Sequence, residues 1–286
     1  MKKALYTVLI LTTFISACGQ ETRQPAGNPE NADAPGIINP GGHTLQTRIS
    51  PPDGYQRIEV QNGSFAEYLR NLPLKPHNSA VEFYDGSVKP NHGIYTAVVD
   101  LEIGDRDLHQ CADAVMRLRA EYLWMQERFD EIHFNFTNGF RVDYTKWMKG
   151  KRIVVNGNET HWKQAASPSN SYGDFWNYLE IIFAYAGTLS LSKELGPVDP
   201  AGMEPGDVFI RGGTPGHAVI VVDMAADTMT GEKVFLLAQS YMPAQDIQVL
   251  KNPDDKAPGP WYPLDFGQEL ITPEWVFERT DLKRFE

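Results

Sequence analysis

Apolar and polar positions sort into clear periodic blocks only from Ile58 onward. The strongest helical pattern follows Asp107, where Leu108, Cys111, Val115, Leu118 and Tyr122 recur at the spacing of one helix face. Asp107 is a good N-cap residue and Gln110, three positions on, would close a capping box, so a helix is expected from there to about Arg128. Residues 175–191 are apolar on most sides and predict a second long, buried helix. A short helix is expected over residues 64–72, with Ser64 as N-cap and Glu67 completing the box. Alternating or continuous apolar runs predict strands at residues 80–84, 94–101, 132–136, 207–210, 217–224 and 233–238. Asp85-Gly86 and Thr230-Gly231 mark turns, and residues 137–170 carry no firm period. The Pro-rich end from Asn252, with Trp261, Tyr262 and Trp275, is expected to wrap over the domain. Helices first and an antiparallel sheet later give an α+β class, helices packed on an antiparallel sheet.

The N-terminus follows a different logic. Lys2 and Lys3 precede an apolar run from Ala4 to Phe14, and Ile15-Ser16-Ala17-Cys18 places small residues before a cysteine. These are the parts of an export signal over residues 1–17, and the last four resemble the lipobox read by lipoprotein signal peptidase. That resemblance implies cleavage before Cys18 and lipid on its sulfur and new amino group. The partner of Cys18 is then membrane lipid, and several acyl chains make a stable anchor where one is marginal. The run is too short to span a bilayer, which takes about 20 apolar residues. Residues 18–50 are rich in Pro, Gly, Asn and Gln and are expected to form a flexible tether ahead of a single globular domain at 51–286. Together these features place the protein in a bacterial cell envelope, lipid-anchored and facing the periplasm or the surface.

Charge and cysteine usage narrow the chemistry. The formal net charge is −11, and loss of Lys2 and Lys3 with the signal makes it −13. Such an acidic surface argues against nucleic acid as the main partner. Only two cysteines are present, so lipidation of Cys18 leaves Cys111 as the single thiol of the folded domain. A lone thiol is either a small buried hydrophobe or a nucleophile. No HxxxH, HxH or CxxC pair suggests a metal site. No GxGxxG, P-loop or GxSxG motif suggests a nucleotide cofactor or a serine esterase, and no cofactor is expected.

The segment with candidate chemistry is Glu204-Pro205-Gly206-Asp207-Val208-Phe209-Ile210, followed by Gly216-His217-Ala218-Val219-Ile220-Val221-Val222-Asp223 and, on the next strand, Leu237-Ala238-Gln239-Ser240. A "Gly-Asp-apolar" strand leading to a strand that opens with histidine resembles the papain-like cysteine hydrolases of the NlpC/P60 and CHAP kind. The resemblance implies His217 as base, Cys111 as nucleophile and Gln239 as the residue that orients the imidazole, with Asp223 and Ser240 as local competitors. In that reading the Gln239 carbonyl accepts Nδ1–H of His217 and leaves Nε2 for the sulfur. Two departures stand out: Cys111 falls at the fourth position of the expected helix, and its neighbours His109-Gln110-Cys111-Ala112-Asp113 match no nucleophile motif of those families. Residues 137–190 would form an insertion or an extra helical layer.

Residues 73–261 also resemble a bacterial lipoprotein family described only as a domain of unknown function. The segments that carry it are 110–123, 215–223 and 238–245. This resemblance implies an envelope protein and no particular activity. Two functions follow: a cysteine amidase or peptidase acting on cell-wall (peptidoglycan) peptides, or a non-catalytic binding or assembly lipoprotein on the same scaffold. Arg117, Arg119 and Glu121 read as a solvated helix face, and Asn135, Asn138 and Gly139 as turn formers.

Overall fold

A computed structural model describes residues 36–254 and 257–286, so the expected export signal and Cys18 lie outside the described residues. The chain begins with a short helix α1 (Leu45–Arg48), strand β1 (Tyr55–Arg57) and helix α2 (Phe65–Arg70), then β2 (Tyr95–Val98) and the long helix α3 (Cys111–Met125). A layer of small elements follows: β3 (His133–Asn135), β4 (Arg141–Asp143), α4 (Tyr144–Met148), β5 (Lys151–Asn156) and β6 (Glu159–Gln164). Next come α5 (Tyr172–Tyr185), α6 (Thr188–Glu194), β7 (Gly196–Pro197), β8 (Val208–Arg211), β9 (His217–Asp227), β10 (Lys233–Gln239), β11 (Gln248–Leu250) and β12 (Tyr262–Pro263). The chain closes with β13 (Glu269–Ile271), β14 (Val276–Glu278) and β15 (Leu282–Arg284).

The expected α+β class holds: helices pack on a nine-stranded antiparallel sheet ordered β2-β11-β10-β9-β8-β15-β7, with β1 added to β9 and β12 to β10. The eleven residues of β9 are its spine, buried along most of their length. Alternation on β9 divides the core in two, because successive side chains point to opposite faces. Ala218, Ile220 and Val222 join the helices in the larger cluster. Val219 and Val221 join Phe209, Phe235, Phe277 and Leu282 on the other face. At the far end of β9, Asp227 accepts the N–H groups of Met229 (2.8 Å) and Thr230 (2.7 Å), which builds the expected Thr230-Gly231 turn into β10.

Several expectations need correction. The tether was expected to reach residue 50, yet Leu45 and Ile49 are fully buried and α1 is already helical, because apolar side chains dispersed among polar ones still reach the common core. The expected strand at 80–84 makes only isolated bridges, Glu82 to Val88 and Phe83 to Gln245. The long helix expected at 175–191 is two helices, α5 and α6, separated at Ala186 and Gly187. Residues 151–164, which showed no firm period, form a hairpin that is intermediate or exposed throughout, so no buried face imposes alternation. Arg117 and Glu121 are not solvated: they are 2% and 6% exposed, pair at 3.4 Å, and are covered by Tyr172 and Trp176. Arg119 is half-buried against the rings of Phe65, Tyr122 and Phe285. Helix α3 is enclosed on most sides because α2, α5 and α6 pack on it as well as the sheet.

Candidate active site

Cys111 occupies the first turn of α3. The N-cap is Gln110 rather than Asp107, and the N–H of Gln110 donates to the carboxylate of Asp113 at 3.0 Å. Asp107 is used elsewhere, accepting from the Gln110 side chain (3.0 Å) and from the Ala244 N–H (2.7 Å). Those bonds hold residues 107–110 out of the helix, so Cys111 moves from the expected fourth position to the first helical residue. There the unpaired N–H groups of the helix start favour negative charge.

Tertiary packing then brings this helix start to the beginning of β9. The β9–β10 ladder ends at the pair Ile220–Ala238, and Gln239 closes β10 by pairing with Gln248 of β11. Beyond Gln239 the chain leaves the sheet: the Ser240 hydroxyl donates to the carbonyls of His109 (2.9 Å) and Gln245 (2.8 Å). The backbone N–H of Ala218, at the start of β9, is among the groups that favour the thiolate of Cys111. Cys111 is half-buried and is the free cysteine among the described residues. The structure therefore brings the cysteine to the backbone immediately after His217.

His217 is 1% exposed and lies among the rings of Tyr241, Trp275 and Phe277, with centroids 4.7, 5.4 and 5.9 Å away. The glycine before it is required by space: a Cβ on Gly216 would fall 2.6 Å from the Gly213 carbonyl oxygen and 2.8 Å from that of Arg211. The imidazole and the Gln239 side chain meet as expected, at 2.8 Å, but through Nε2 rather than Nδ1. The correction comes from ring placement, which faces Nε2 toward β10. Of the competing partners, Asp223 is held by Arg57 (2.6 Å) and Arg70 (2.8 Å), and Ser240 is spent on backbone carbonyls. Gln239 is the side chain bonded to the His217 ring.

Electrostatically the pair is neutral at rest. Burial pushes the Cys111 thiol up to about 11, reinforced by Asp113 and opposed by the N–H groups of Ala112, Ala218 and Cys111 itself. Desolvation outweighs the helix-start dipoles. Burial pushes His217 down to about 4, with the nearby Lys89 cation acting in the same direction and the Gln239 bond against it. Asp113, buried two residues from the thiol, is raised well above the usual carboxylate range by desolvation. His109 is lowered to about 3, again by burial first and then by Arg117.

Lys89 and Glu274 carried no sequence signal for this site, since they come from loops remote in the chain, while Tyr241 lies two residues past Gln239 and Trp275 in the aromatic C-terminal segment expected to cover the domain. Among the described residues no group of three or more His, Cys, Asp or Glu side chains could hold a metal ion. No described helix is long and apolar enough to cross a membrane. Three surface cavities of about 550, 580 and 380 Å³ are lined by other residues than Cys111, His217 and Gln239.

No curated protein and no solved structure matches the chain. The family model described as "Domain of unknown function (4846)" matches residues 45–284, which is nearly all of the folded part, and the chain belongs to that family.

Proposed function

We propose that this protein is a cysteine hydrolase of amide bonds, built on a papain-like arrangement and acting on cell-wall peptides from a lipid anchor at Cys18. The observation that carries the reading is the meeting of a helix-start cysteine with the strand residue next to a histidine whose ring is already oriented by Gln239. A nucleophile, a base and a residue that orients the base are the minimum for this chemistry. The anchor and the envelope location rest on the sequence of residues 1–18.

Because Nε2 is taken by Gln239, the proton-accepting nitrogen is Nδ1. The Cys111 sulfur attacks the amide carbonyl as its proton passes to the imidazole, forming a C–S bond. The imidazolium then protonates the leaving nitrogen as the C–N bond breaks. Water, deprotonated by the same imidazole, hydrolyses the thioester. With a thiol near 11 and an imidazole near 4, proton transfer accompanies attack rather than preceding it.

One observation favours the rival reading of a non-catalytic binding or assembly lipoprotein: His217 is almost wholly covered. Both readings are tested by incubating the folded protein with purified stem peptides and following new termini by mass spectrometry. Hydrolysis lost by about 10³-fold or more in Cys111→Ser and His217→Ala, with both variants still folded, is the expected result, in line with the weight of a nucleophile–base pair. Cleavage that survives either substitution overturns the mechanism. Absence of cleavage in the wild type across amide substrates supports the binding protein.

A further inference from the structure

Behind Gln239 stands a second pair of charges. The Gln239 Nε2 donates to the Glu274 carboxylate at 2.7 Å, and the same oxygen, Oε2, accepts from Lys89 Nζ at 2.8 Å. Lys89 is 5% exposed and its ammonium lies 5.5 Å from the centre of the Tyr241 ring, which itself packs on His217. Glu274 sits between β13 and β14, and Lys89 lies in the segment before β2, so two remote parts of the chain converge on one amide.

The amide of a glutamine is two-sided: one end only accepts, the other only donates. A carboxylate cannot donate, so it binds the –NH₂ end and turns the carbonyl oxygen toward His217. That oxygen can only accept, so Nε2 of His217 must carry the hydrogen, and Nδ1 is left with the lone pair. We propose that Glu274, held by Lys89, is a positioning residue that sets the tautomer of His217 through the orientation of the Gln239 amide. This deepens the hydrolase reading: Glu274 touches neither nucleophile nor substrate, yet it decides which imidazole nitrogen is free to accept a proton. A carboxylate bonded directly to the ring would also fix the tautomer, but it would favour the imidazolium. An intervening amide passes on the orientation without bringing the charge into contact.

The test reads the imidazole itself. Histidine-selective ¹⁵N labelling and long-range ¹H–¹⁵N spectra of the folded protein at pH 7.5 distinguish the two tautomers, with His217 assigned from its missing signals in His217→Gln. The wild type is expected to show the Nε2–H tautomer alone. Glu274→Leu frees the amide to turn over and is expected to give a mixture of tautomers, or Nδ1–H alone. Glu274→Gln, which can still present a carbonyl oxygen to Gln239, is expected to restore Nε2–H. If Glu274→Leu does not fold, Glu274→Ala carries the same readout. A single Nε2–H tautomer that persists in the folded Leu or Ala variant overturns the proposal, as does an Nδ1–H wild type. Because no turnover is measured, this result stands or falls separately from hydrolysis: the tautomer can be set by Glu274 in a protein that cleaves nothing.

Discussion

Two positions of β9 each bury a polar side chain on an apolar strand, and they solve that problem in opposite ways. Toward its middle, Asp223 is fully buried and fully answered: Arg57 and Arg70 take its two oxygens, and the N–H of Met224 adds a third bond at 2.9 Å. At its start, His217 is equally buried but stays neutral, holds one strong bond to Gln239, and lies beside the backbone N–H that meets a thiol. A buried charge with every partner in place has nothing left to react with. A buried neutral base with one nitrogen fixed keeps the other for chemistry. The contrast teaches that burial of a polar group does not mark function by itself, because the two side chains are equally buried and differ in how many of their atoms are bonded.

The largest test of the contrast is Asp223→Asn. Removing the charge leaves the buried Arg70 and the half-buried Arg57 guanidiniums without their carboxylate, and stability is expected to fall by about 3–5 kcal/mol in urea denaturation. A loss under about 1 kcal/mol would mean that the arginines find other acceptors and that Asp223 is not a structural clamp. Beside His217, Gln239→Leu strands the His217 Nε2, while Glu274 keeps its Lys89 ion pair, and is expected to cost about 1–3 kcal/mol. His217 should then titrate below its wild-type value, since the Gln239 bond is what raises it.

Proton linkage sharpens the comparison further. A base lowered to about 4 stays neutral above that pH, and a thiol raised to about 11 stays protonated below it. Between those values the resting pair is thiol and imidazole. Alkylation of native Cys111 by iodoacetamide is therefore expected to be slow at pH 7 and to climb about tenfold per pH unit toward pH 10, following the thiolate fraction. A rate that is already high and flat from pH 5 to 8 would reveal a thiolate–imidazolium pair instead. The smallest effect is expected for Asp113→Asn. Asparagine keeps an acceptor for the Gln110 N–H, so stability should change by less than about 1 kcal/mol. Loss of the neighbouring carboxyl should increase alkylation a few-fold at pH 9, and a decrease would show that Asp113 aids the thiolate.

Much of this was legible in the chain. The strands at β8, β9 and β10 were marked by continuous apolar runs bounded by glycine, proline and a Thr-Gly turn, because a sheet buried on both faces leaves that pattern. Cys111, His217 and Gln239 were each readable as candidates from type and position. The start of α3 was not, since Asp107 and Gln110 satisfy the local rules for a cap equally well, and only the demand of the Ala244 N–H pulls Asp107 away. Arg117 and Glu121 looked like surface charge because sequence cannot show that Tyr172 and Trp176 close over them.

The sequence by itself determined the class of the fold, the apolar spine of the sheet, and the candidate nucleophile and base. Those follow from short-range periodicity and residue chemistry, which act within a few positions of the chain. The tertiary structure alone decided that Cys111 sits in the first turn of α3, that its sulfur meets the Ala218 N–H, that Nε2 of His217 is the bonded nitrogen, and that Glu274 and Lys89 stand behind Gln239. Each of these depends on groups between 22 and 185 positions apart, and such contacts are fixed by packing of the whole core rather than by any local preference.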